Sequence, residues 1–139
     1  MEPVVYNLPW LAGFFDGEGS VGIYARNWDR DKKFQYFVLV VSLAQSGEIG
    51  RKVLESCAKQ YGGTVYKQKT DKAQTLNKVM WKWNVSAEKA KIFLEAIHEF
   101  SVIKHTQIMY ALNFQSLSSK RSDYQPAAKL AEIVKNLKQ

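Results

Sequence analysis

Leu11 to Gly19 reads LAGFFDGEG. Gly13 and Gly17 are four residues apart, so on a helix they share a face with Ala12 and Asp16 beside them. Small residues at that spacing let two helix backbones approach closely. A glycine costs roughly 1 kcal/mol inside a helix, so two of them need a reason. Packing against a second copy of the same helix is one. The segment then ends on an acid, Glu18. A helix C-terminus carries partial negative charge and favours cations, which suits a carboxylate holding a divalent ion. Two Glu18 side chains meeting about a twofold axis would resist joint ionisation. Mg²⁺ (or Mn²⁺) relieves that repulsion, being a hard ion that takes carboxylate and water oxygens.

Outward from this segment the pattern alternates helix and strand. The spacing predicts a helix from Pro9 to about Glu18, or 8 to 19 at its widest, with Asn7 as cap and Pro9 in the first turn. It predicts strands over Ser20–Arg26 and Phe34–Ala44 around the turn NWDRDKK. A helix over Gly47–Tyr61 follows, capped by Ser46 and ended by Gly62-Gly63. Strands over Thr64–Lys69 and Lys78–Val85 come next, around a polar turn. Ser86 is placed to cap a helix over Ala87–Phe100, and a further helix covers Lys104–Ser116. The polar stretch SLSSKRSDYQ, Ser116 to Gln125, reads as a loose linker to a last helix over Pro126–Leu137, about residues 124 to 138. Hairpin strands with helices on one face make an α+β fold with an antiparallel four-stranded sheet. The whole chain, 1 to 139, reads as one domain.

Such a sheet leaves one face free. Phe37, Leu39, Val41 and Leu43 alternate with Tyr36, Val38, Val40 and Ser42. Val79, Trp81, Trp83 and Val85 alternate with Lys78, Met80, Lys82 and Asn84, and Val21, Ile23 and Ala25 with Ser20, Gly22, Tyr24 and Arg26. One set in each strand is core. The other mixes basic, amide, hydroxyl and aromatic groups, which suit phosphates and base edges. An ordinary solvated sheet face has the same alternation, and Val38 and Val40 also fit a sheet covered on both sides.

Composition narrows the classes. The formal net charge is +7, which calls for a polyanionic partner but does not separate DNA, RNA and membrane. No apolar run reaches the roughly 18 residues of a membrane span. MEPVVYNLPW has no basic leader and is not expected to be a signal peptide. Cys57 is the single cysteine, so no internal disulfide and no cysteine zinc site can form. His98 and His105 are too few for a histidine-rich metal centre. An intracellular compartment is expected, either an organelle such as a chloroplast or mitochondrion, or a microbial cytoplasm.

The segment LAGFFDGEG resembles the LAGLIDADG motif of homing endonucleases: LAG, two apolar residues, Asp, Gly, an acid, Gly, and at once a strand. The resemblance is to the single-motif branch and covers about residues 8 to 116. It implies that the motif helix forms a homodimer interface through Leu11, Ala12, Gly13, Phe14, Asp16 and Gly17. It implies Glu18 as metal ligand, with Gly17 beside it. Gln45, after the second strand, corresponds to a polar residue that orients solvent. Lys104 corresponds to a basic residue beside the scissile phosphate, where positive charge stabilises the transition state. Arg51 and Lys52 remain unassigned because their register is ambiguous. Members lay their sheets along the DNA major groove, which makes Ser20, Gly22, Tyr24, Arg26, Tyr36, Ser42, Tyr66, Gln68, Lys78, Met80 and Lys82 the contact candidates. The implied activity is metal-dependent cleavage of double-stranded DNA at a long pseudo-palindromic site, with no cofactor beyond the metal and an intron-encoded gene. A non-catalytic binder on the same scaffold, an RNA-splicing maturase or a DNA-binding regulator, is the competing reading. A small-molecule module ranks last, since it leaves the charge and the glycine-spaced helix unexplained.

Overall fold

The computed structural model describes residues 6–27, 35–68 and 79–138. The elements are α1 (Leu8–Glu18), β1 (Gly19–Asn27), β2 (Gln35–Ser46), α2 (Gly47–Tyr61), β3 (Thr64–Lys67), β4 (Met80–Ser86), α3 (Ala87–Ile97), α4 (His105–Gln115) and α5 (Gln125–Leu137), with a 3₁₀ turn over His98–Phe100 after α3. The four strands form one antiparallel sheet in the order β1-β2-β4-β3. This is the expected α+β architecture. Phe34, Lys69 and Lys78, which the sequence reading put in strands, lie outside the described residues, as do most of the two polar turns.

Local chemistry accounts for the boundaries. Asn7 caps α1, its Oδ1 accepting the Trp10 N–H at 2.8 Å, and Pro9 sits in the first turn. α2 stops at Gly62 and Gly63, whose φ angles of 92° and 87° suit a residue without Cβ. Ser46 and Ser86 stand at the expected cap positions, yet neither hydroxyl makes a cap hydrogen bond. Both are the last residues of paired strands, opposite Met80 and Val40, and the residue after each enters its helix with a positive φ, 78° at Gly47 and 55° at Ala87. The helix expected to run on to Phe100 tightens into the 3₁₀ turn instead.

The helices bury one sheet face. Val21, Leu39, Val41, Leu43, Trp83 and Val85 meet Phe15 of α1, Phe93, Leu94 and Ile97 of α3, and Ile108 and Phe114 of α4. Phe93 is the hub. Phe15, Tyr61 and Trp83 all meet it edge-on, at centroid distances of 5.5, 5.1 and 5.1 Å. Trp83 satisfies its indole by donating to the Gly62 carbonyl at 2.8 Å. Edge-to-face packing adds about 1 kcal/mol per pair beyond area burial.

The stretch expected to be a loose linker is hydrogen-bonded to the sheet. Phe37 donates its N–H to the Lys120 carbonyl at 2.7 Å, Ser122 donates to Gln35 at 2.9 Å, and Tyr36 and Arg121 form an antiparallel bridge. The reason is register. β4 reaches only as far as Val40 along β2, so the backbone groups of residues 35 to 37 on that side need another partner. Among the described residues no helix is long and apolar enough to cross a membrane.

Candidate active site and nucleic-acid interface

The end of α1 organises the site. Glu18 is its last residue and, like Gly17, is exposed. Two residues earlier Asp16 turns inward and is buried. Its carboxylate accepts from the Ser101 hydroxyl at 2.5 Å and from the N–H groups of Val102, Ile103 and Lys104 at 2.7, 3.2 and 3.1 Å. Burial alone would raise its pKa, but the hydrogen bonds from Ser101 and the three N–H groups outweigh it and hold the carboxyl below the ordinary value. The Lys104 ammonium donates back to the Asp16 carbonyl at 2.6 Å. That carbonyl is one of the unpaired acceptors of a helix C-terminus, where a cation is favoured. α1 has no basic residue of its own in its last turn, so Lys104 supplies the charge from the start of α4.

β2 brings the third residue to the same end. Gly19, next to Glu18, pairs with Leu43. Gln45 lies two residues further along β2, on the same side as Leu43, where a Cβ on Gly50 of α2 would come within 2.7 Å of its Cβ. Opposite it in β4 is Trp81. The Arg51 guanidinium lies 4.6 Å from the Trp81 ring and pairs with Glu55 at 2.9 Å and Glu48 at 3.6 Å. Arg51 is thereby held near Gln45, whereas Lys52 of the same helix is exposed. Alternation had placed Trp81 with the core and gave no sign that it would seat an arginine. His105 stacks on His98 at 4.3 Å, its Nδ1 3.0 Å from the His98 carbonyl. Burial and the neighbouring His105 charge lower the His98 pKa.

The helix residues expected at a dimer interface differ in exposure. Leu11, Ala12 and Asp16 are buried within their own chain. Gly13 and Gly17 face open space, with no atom within 4 Å of where a Cβ would be. Phe14 is half-buried, and Trp10 stacks between it and Tyr6 at 5.3 and 4.8 Å.

On the sheet face away from the helices the register sets rows. Ser20, Ser42, Asn84 and Thr64 lie side by side across all four strands. Lys82 lies between Ala44 and Tyr66, and Met80 is opposite Ser46. Tyr24 and Arg26 are opposite Val38 and Tyr36, and Gly22 is opposite Val40. Tyr24, Arg26 and Tyr66 are exposed, Tyr36, Ser42, Met80 and Lys82 are half-buried, and Gly22 is buried. Gln68 follows β3 and bonds through its N–H to the Met80 carbonyl at 2.8 Å. Lys78 lies outside the described residues. The row adds Asn84 and Thr64 to the candidates. Alternation put Asn84 on this face, but its partner was visible only in register: Asn84 Nδ2 donates to the Tyr66 hydroxyl at 2.9 Å.

An open sheet face carrying Arg26 and Lys82 thus lies on a fold whose first helix ends in an exposed acid beside an anchored lysine. The family described as LAGLIDADG endonuclease matches residues 11–115. The chain belongs to that family. Among solved structures, the homing endonuclease I-CvuI, in complex with the I-CreI target in the presence of Mg, is 22% identical with a TM-score of 0.73, covering 94% of this chain and 80% of that one. The archaeal intron-encoded homing endonuclease I-Vdi141I, complexed with DNA, is 18% identical with a TM-score of 0.69, covering 94% and 82%. The meganuclease I-SmaMI, bound to uncleavable DNA, is 18% identical with a TM-score of 0.67, covering 95% of this chain and 43% of that one. At these identities the likeness is one of fold. No curated protein matches the chain significantly.

Proposed function

We propose that this chain is a metal-dependent, sequence-specific endonuclease that cuts double-stranded DNA as a homodimer on a long pseudo-palindromic site. The observation that carries the reading is the Lys104 ammonium held against the last turn of α1, two residues from the exposed carboxylate of Glu18. Membership of the family, and relatives crystallised with DNA and with Mg or Ca, support it.

The donors at the helix end suit the ion. The Glu18 carboxylate and the Gly17 carbonyl are hard oxygens of the kind Mg²⁺ or Mn²⁺ takes, and they leave the remaining positions for water and phosphate. Among the described residues no group of three or more His, Cys, Asp or Glu side chains could hold a metal, so the second copy's Glu18 is the natural complement. When bound, the ion supplies Lewis-acid stabilisation of charge at the phosphate. The protein groups do the rest. Glu18 fixes position, Gln45 orients solvent toward the phosphorus, and Lys104 offsets the negative charge that builds on the phosphate oxygens. The exposed strip of Gly13 and Gly17, flanked by Phe14 and Trp10, is the surface on which two copies meet. Cutting both strands needs two such sites, and one motif supplies half. An intron-borne gene belongs to the same reading, as in I-Vdi141I.

Incubating the protein with a random-sequence duplex library and Mg²⁺ tests this. Wild type should cut a discrete set of sites, and Glu18→Gln should bind the same sites uncut. Binding to RNA or DNA without cleavage by the wild type would favour the maturase or regulator reading.

A further inference from the structure

Lys138, one residue past α5, reaches the open face of β1. Its ammonium lies 3.1 Å from the Tyr24 hydroxyl, 3.4 Å from the Ser20 hydroxyl and 5.2 Å from the centroid of the Tyr24 ring. The Arg26 guanidinium lies 5.8 Å from the same centroid. Gly22 makes the arrangement possible. A Cβ there would come within 2.5 Å of the Tyr24 hydroxyl and 2.7 Å of the Lys138 ammonium. The Tyr24 ring therefore lies back over Gly22 toward Ser20 instead of standing off the sheet. This explains why Gly22, on the open face, is buried. The hydrogen bond from Lys138 is the largest influence on the Tyr24 phenol. Burial opposes it, but the phenol is held below its ordinary pKa.

We propose that Lys138 is a specificity-determining positioning residue, which clamps Tyr24 over Gly22 and fixes its hydroxyl as a hydrogen-bond donor toward the DNA bases. The proposal rests on the sheet face being the DNA surface. An unclamped phenol both donates and accepts, and so tolerates any base edge. Lys138 has only hydrogens to give, and the Ser20 hydroxyl hydrogen-bonds the same oxygen, so the acceptor side of the Tyr24 oxygen is taken and the O–H is left as the outward function. A donor in the major groove prefers the acceptors of guanine, adenine N7 or thymine O4 and disfavours the cytosine amino group. The clamp also confines a ring that would otherwise sample several rotamers, and gives Arg26 a fixed surface to lie on.

Site selection with wild type, Lys138→Met, Lys138→Arg, Tyr24→Phe and the Lys138→Met/Tyr24→Phe double variant tests it, alongside NMR titration of ring-labelled tyrosine without DNA. Wild type should demand an acceptor-bearing base at one position in each half-site. Lys138→Met and Tyr24→Phe should each lose about tenfold discrimination at that same position, the double variant no more than either, and Lys138→Arg should restore most of it. In free protein, Lys138→Met should move the Tyr24 titration back toward that of an ordinary phenol. An unmoved titration, or a selective wild type whose Lys138→Met variant is equally selective or uniformly weaker at all positions, overturns the clamp alone. A wild type that selects no DNA overturns the functional reading and this proposal with it.

Discussion

Lys104 and Asp16 hold each other twice. The lysine ammonium donates to the Asp16 carbonyl at 2.6 Å, and the Asp16 carboxylate accepts the Lys104 N–H at 3.1 Å. The lysine is thus fixed by backbone and side chain together, and its charge sits where α1 ends. For the chemistry, Lys104→Met should lower kcat by about a hundredfold or more while leaving DNA affinity within a few-fold, because the charge acts on the transition state. Single-turnover cleavage with binding measured in Ca²⁺ separates the two. A loss confined to affinity would remove Lys104 from the reaction.

Asp16 has the complementary, structural effect. Asp16→Asn puts an amide among four donors, and should destabilise the fold by about 2–4 kcal/mol in urea denaturation. Because the folded carboxyl titrates below its unfolded value, its contribution is present above about pH 4 and disappears as pH falls through the folded pKa. Wild type should lose stability on acidification in that window, and the Asn variant should lose less. Parallel pH profiles of the two proteins would contradict this account.

Gly13 offers a test of assembly. Nothing in the chain would obstruct a side chain there, and a helix normally gains about 1 kcal/mol when glycine is replaced. Gly13→Leu should therefore melt no lower as a monomer, yet sediment as a single chain where wild type sediments as a dimer. An unchanged dimer would move the interface off this face.

The open sheet face predicts salt dependence. The logarithm of affinity for duplex DNA should fall steeply with the logarithm of salt concentration, and Lys82→Met should reduce the slope by about one. Equal slopes would mean that Lys82 touches no phosphate.

Much of the fold could be read in advance because its signals are local. Asn7, Pro9, Gly62 and Gly63 mark helix ends within a turn of where they act, and strand alternation separates Leu39, Val41 and Leu43 from Tyr36 and Ser42. What escaped was long-range. Asp16 and Lys104 are 88 residues apart, and Lys138 and Tyr24 are 114 apart, so no spacing rule connects them. Lys104 came into view only through resemblance, and Asp16 only as a residue of the motif helix, not as the lysine's partner. Ser46 and Ser86 stand at the cap positions without capping, and the residue after each, Gly47 and Ala87, has a positive φ that no spacing rule announced. The polar stretch after α4 read as loose because its sheet bonds use backbone groups, which every sequence possesses.

Cys57 gives a probe of unfolding. Burial pushes its thiol up to about 11, so very little thiolate exists at neutral pH. Thiol reagents should label it at the rate of global opening, and denaturant should accelerate labelling in step with loss of helix signal. Rapid labelling of the native protein would contradict its burial.

The bonds from Lys120 and Ser122 to β2 give the C-terminal region a protective duty. A chain cut before residue 120 would bare the backbone of residues 35 to 37 as a raw strand edge, ready to recruit its own kind. Such a truncation should precipitate or form fibrous aggregates rather than remain as a smaller folded molecule.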